Sequence, residues 1–197
     1  MQKLPKRALI GNTGSLFMLG FFTIMWAGFI PGSIGATPFA IASFAIFTAF
    51  AIWLFIEATM TMRIVRKLPD SPATETDKRM GKHFGIIFGI EFFLIAVSFF
   101  LLGSGIIGNP NYIPSVITFI VGAHFIPLGI IFKMRIHIIL GIIIMFVAAI
   151  GFVFIALGKC IDPANAVVSL VTALCVAIMG AYLLRFIKAQ VKAINKR

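Results

Sequence analysis

Six apolar runs alternate with polar breaks along the chain, at roughly 8–30, 37–62, 84–107, 113–132, 136–157 and 164–187. They are divided by PGSIGA, a long polar stretch, GNPNY, a tight KMR turn and GKCIDP. An α-helix needs about 20 apolar residues to cross the hydrocarbon core of a bilayer, and each run has roughly that length. A transmembrane β-strand would instead alternate in polarity over roughly ten residues, and no such alternation is visible. The pattern therefore predicts an all-α integral membrane bundle of six transmembrane helices, forming a single membrane domain over residues 1–197. The first run follows the basic start MQKLPKR, as a secretory signal would. At about 23 residues it exceeds the roughly 7–15 of a cleaved signal's apolar core, so it is read as an uncleaved first span.

Composition agrees with this reading: 60% of the residues are hydrophobic and 12% charged, with a mean hydropathy of +1.09. Soluble domains are about 45–50% apolar. The formal net charge of +11 raises the question of nucleic acid, but the basic residues lie between apolar spans rather than on a soluble patch. They report orientation instead. Sixteen of the seventeen Lys and Arg residues fall on one side: Lys3, Lys6 and Arg7, those of the 63–83 loop, Lys133 and Arg135, and those of the 185–197 tail. Only Lys159 falls on the other. The enrichment of Lys and Arg in cytoplasmic segments places both termini inside, in a bacterial plasma (inner) membrane, with no nucleic-acid partner expected. Cys160 and Cys175 have neither a disulfide framework nor metal-type spacing around them.

Arg185, Lys188, Lys192 and Lys196 share one helical face of the C-terminal tail, with Ile187, Val191 and Ile194 opposite. A basic amphipathic tail of this kind is expected to leave the bilayer and bind the headgroups of an anionic inner leaflet. Small residues mark where helices approach in lipid. Gly81, Gly85 and Gly89 make two Gly-x-x-x-Gly steps in the third span, and Ala173, Ala177 and Gly180 continue a stripe of small residues in the sixth. Both stripes are read as helix packing, within one bundle or along a seam with a second copy or a partner membrane subunit.

Three ionisable residues interrupt the spans: Glu57, Glu91 and His124. An ionised group at a helix centre costs about 2.5–3.5 kcal/mol on insertion scales, so such residues turn inward and find partners. At about 1.5 Å rise per residue, they lie roughly 8, 10 and 12 Å from the cytoplasmic ends of their spans, in one layer. Asn12 adds a shallower wall from the first helix. Pro127, three residues after His124, is a predicted helix kink, because it offers no amide hydrogen to the Ala123 carbonyl. The layer reads either as a Glu–His lock between helices or as a site for a small-molecule or proton ligand. No metal is assigned: Glu57, Glu91 and His124 are weak candidates, since neither Glu-x-x-His nor His-x-x-x-His occurs. His83 and His137, beside basic residues at the boundary, are read as surface groups. No Gly-x-Ser-x-Gly, phosphate loop or intramembrane Asp pair appears, so no catalytic residue and no cofactor is predicted. The leading expectation is a permease or ligand-binding transport subunit. A non-catalytic scaffold or assembly subunit comes second and an intramembrane metalloenzyme third.

Overall fold

The computed structural model describes residues 5–69, 75–104 and 108–195. Lys3, Lys196, Arg197, the end of the predicted third span at 105–107 and the middle of the 63–83 loop lie outside the described residues. Among those described, the chain is all-helical: α1 (Lys6–Ile34), α2 (Pro38–Arg66), α3 (Glu75–Gly103), a single 3-10 turn (Pro110–Tyr112), α4 (Ile113–Ile131), α5 (Arg135–Ala156) and α6 (Ile161–Asn195). Six of these helices are long and apolar enough to cross a membrane.

The ends of the helices follow from local backbone chemistry. Gly35, at φ +71°, stops α1, and the Thr37 side chain then caps α2 by accepting from the Ala40 amide at 3.2 Å, with Pro38 in the first turn. Between α4 and α5, Lys133 adopts φ +54° so that the Met134 amide can return to the Gly129 carbonyl at 2.9 Å, closing a tight turn. Within the spans, hydroxyls turn back onto their own helix: Thr13 donates to the Leu9 carbonyl and Thr23 to that of Leu19, each at 2.7 Å. A medium without water leaves such groups few other acceptors.

α1 and α6 pack along much of their length, with α2 on one flank and the α4–α5 pair on the other. Leu16, Trp26, Leu54, Ile144 and Met179 form the centre of the core. α3 packs on α4 at the edge and leaves most of its surface outward, with Phe93 and Phe100 each 67% exposed. So large an exposed apolar surface suits acyl chains and not water.

Two elements depart from the sequence reading. Gly81, Gly85 and Gly89 do not pack inside the chain: a Cβ at any of them would find no atom within 4 Å, because α3 turns this edge away from α4. The close approaches are made instead by Gly122 and Gly129 of α4 and Gly141 of α5, while Ala173, Ala177 and Gly180 of α6 are buried. The tail, in turn, is no separate surface helix. α6 runs unbroken to Asn195, and Ile187 and Val191 are buried in the main core cluster together with Leu9, Val65 and Leu68. Packing against the ends of α1 and α2 has taken the apolar face that would otherwise enter lipid. Arg185, Lys188 and Lys192 remain exposed.

Candidate functional site

α4 is the helix that positions the site. It continues through Pro127 and carries His124 toward α3, where Glu91 is the one fully buried residue among those of α3 whose burial is described. His124 Nδ1 lies 2.7 Å from Glu91 Oε1, and both residues are buried, at 8% and 2% exposure. Phe88 and Phe125 stand edge-on to the imidazole at 4.8 and 5.3 Å between ring centres. The carboxylate lies against one nitrogen and the aromatic rings fix the plane. Among the described residues neither imidazole nitrogen of His124 and neither carboxylate oxygen of Glu91 has a partner in hydrogen-bond geometry, so the pair is a close ionic contact and not an aligned hydrogen bond.

His124 forms part of the wall of a small cleft bounded by α1, α3, α4 and α6, about 50 Å³ in volume and partly open to the outside. Asn12 and Ser15 supply polar groups from α1. Met18, Phe22, Phe84, Phe88, Phe132 and Met179 make most of the rest apolar. Glu91 stands behind His124, outside the cleft wall. A histidine held by a carboxylate at Nδ1 presents Nε2 either as a lone pair, accepting from a hydroxyl, or as N–H, donating to a carbonyl. Such an arrangement can bind a polar oxygen or exchange a proton with it.

Of the three residues placed in one layer by depth, Glu57 does not join the other two. Its Oε2 lies 2.6 Å from Lys188 Nζ, tying α2 to α6. α2 packs on α1 and α6 and forms no packed interface with α3 or α4, so equal depth does not bring Glu57 to His124. The three-ligand metal set is therefore not assembled, and among the described residues no group of three His, Cys, Asp or Glu side chains could hold a metal ion. Ser98, two turns from Glu91 on α3, donates to the Leu94 carbonyl at 2.7 Å.

His137 corrects the sequence reading in the other direction. It is only 8% exposed, lies in the cleft wall, packs on Phe125 at 5.9 Å and has a buried Nδ1 without a hydrogen-bond partner among the described residues. Its neighbours Lys133 and Arg135 suggested a surface position. The signal that could have found it is its place in the first turn of an apolar helix. His83 is exposed. No family model matches the chain, and comparison with curated proteins and with solved structures returns no match.

Proposed function

We propose that this is a small multi-pass membrane protein that binds a small molecule or a proton at the Glu91–His124 pair and serves as a permease or ligand-binding transport subunit. One observation carries the reading: a buried imidazole, 2.7 Å from a carboxylate and with neither nitrogen in an aligned hydrogen bond among the described residues, belongs to the wall of a cleft. A pair serving only to join α3 and α4 would need no such cleft beside it. The proposal includes an orientation with both termini in the cytoplasm of a bacterial cell, on the strength of the one-sided Lys and Arg distribution. Arg185 and Lys192 then meet the anionic inner leaflet, while Lys188 is engaged by Glu57.

The test is thermal unfolding of the purified protein in lipid nanodiscs against a panel of small solutes at two pH values. A bound solute at a hundred times its Kd adds about 2.7 kcal/mol of stability. The expected result is a pH-dependent rise in Tm with one solute class, lost in Glu91→Gln and His124→Ala and kept in Glu57→Gln. Identical responses of all four proteins to every solute would end the reading.

A second reading, a scaffold or assembly subunit, is favoured by the outward Gly81, Gly85 and Gly89 edge, which leaves room for another helix at close range. It predicts a co-purifying membrane partner that Gly85→Leu removes and Glu91→Gln retains. A protein that purifies alone under mild detergent extraction would count against it.

A further inference from the structure

The start of α4, with the turn before it, and the start of α6 carry one polar pattern twice. Asn111, Ser115 and Thr118 recur as Asn165, Ser169 and Thr172, at the same spacing of four and three residues. That spacing sets each trio along one helix face. The two faces meet in register: Asn165 Nδ2 donates to the Asn111 carbonyl at 3.2 Å, and the Thr118 and Thr172 hydroxyls lie 3.4 Å apart. Asn111 is exposed at the end of the bundle away from the basic residues, while Ser115, Thr118, Ser169 and Thr172 are completely buried. Thr172 lies eleven residues from the start of α6, so at about 1.5 Å per residue the seam reaches roughly 16 Å inward, near the middle of a core of about 30 Å. Seven residues further along each helix, roughly another 10 Å, stand Phe125 and Met179, which line the cleft beside His124. Val121 and Val176, both buried, come between.

The seam is not satisfied as the other spans are. Thr13, Thr23 and Thr172 each donate to the carbonyl one turn earlier on their own helix. Ser115 Oγ, Ser169 Oγ and Asn165 Oδ1 are buried with no hydrogen-bond partner among the described residues. α5 closes over the first of them, since a Cβ at Gly151 would collide with the Ser115 hydroxyl. Polar residues join helices in lipid by bonding across the interface, and the middle layer of this seam buries two hydroxyls without such a bond. A buried polar group without a partner is costly, and the cost is relieved when water enters. Packing alone would be served better by alanine at 115 and 169. The six side chains are neutral amides and hydroxyls, which match water and offer an ion no counter-charge.

We propose that the α4–α6 seam is a water gate, shown here shut: it parts from the end away from the basic residues, hydrates the paired Asn, Ser and Thr side chains, and gives the Glu91–His124 pair a second approach, opposite to that of the cleft. This rests on that pair being a transport site, and it adds the route by which the other side reaches it.

Cysteine placed in the seam measures the opening, because a charged methanethiosulfonate reacts with the thiolate, which forms where water reaches it. In the full chain with Cys160→Ser and Cys175→Ala, held in nanodiscs, Ser169→Cys and Thr172→Cys should each react at least about tenfold faster than Ala27→Cys, a fully buried position on α1 outside the seam. Ser169→Cys should be the faster of the two, and Ser115→Ala, which removes one unpartnered hydroxyl, should slow it by at least about fivefold. The size-exclusion profile and helical circular dichroism of each variant check the fold. Rates equal to that of Ala27→Cys overturn the inference, as does a rate that Ser115→Ala leaves unchanged. Thr172→Cys reacting faster than Ser169→Cys overturns it too, since water would then arrive from the cleft. Solute binding that requires Glu91 and His124 is read separately, by thermal unfolding, so a seam that stays shut leaves that reading standing.

Discussion

Replacing Glu91 with leucine is expected to destabilise the folded protein by about 1–2 kcal/mol, most of which vanishes when His124 is already leucine. Breaking a buried ion pair in a soluble protein costs about 3–5 kcal/mol, because one partner stays buried without compensation. Within a membrane the unfolded helices also find partners, so polar contacts between helices measure about 1–2 kcal/mol in model peptides and less in large proteins. The upper part of that range applies here, since the contact is 2.7 Å and both side chains are almost fully buried. The measurement is a double-mutant cycle by reversible unfolding in mixed micelles, using Glu91→Leu, His124→Leu and the pair. A coupling energy within about 0.3 kcal/mol of zero would mean that the two groups do not interact as the structure shows. The same cycle separates a structural lock from a binding site: the double variant should recover stability under either reading, but if the pair binds a ligand it should not recover solute-induced stabilisation.

Depth along a helix is legible in a sequence, because the rise per residue is fixed and the basic residues mark one end. That arithmetic placed Glu91 and His124 at one level, and they do touch. It gave Glu57 the same level and could not show that α2 packs on the flank away from α3. Direction around a helix and choice of neighbour arise from packing, and in lipid no contrast between polar and apolar faces reveals it. His137 illustrates the limit: its basic neighbours drew it to the surface, while its own turn faces the cleft. The six helices were visible as apolar runs, but α6 extends past the predicted 187 to Asn195, since the apolar residues of its tail meet other helices and not acyl chains. Glycine spacing misled in the same way. Gly81, Gly85 and Gly89 carry the familiar repeat and touch nothing, whereas Gly122 and Gly129, seven apart, and Gly141 carry no such repeat and sit at the closest approaches to the backbone of a neighbouring helix.

That last difference yields the largest expected effect on stability. α4 and α5 cross with their backbones nearly in contact at Gly122 and Gly141. A Cβ added at Gly122 would lie 2.8 Å from the Gly141 carbonyl oxygen and 2.9 Å from the Met145 amide nitrogen, and one at Gly141 would lie 2.7 Å from the Gly122 carbonyl oxygen. A flexible side chain could swing aside, but backbone atoms of a packed helix can yield only if the two helices separate. Gly122→Ala should therefore cost about 2–3 kcal/mol, the upper part of the range for overpacking, despite the better helix propensity of alanine. Gly85→Ala is the matched control. It adds the same methyl group where no atom lies within 4 Å, so the gain in propensity is unopposed and stability should hold or rise by up to about 1 kcal/mol. Because α4 also carries His124, spreading α4 from α5 moves the imidazole against Glu91, so Gly122→Ala should weaken solute binding at the cleft without touching it. Equal stabilities for Gly122→Ala and Gly85→Ala, by unfolding in the same micelles, would show that α4 and α5 do not cross at these glycines.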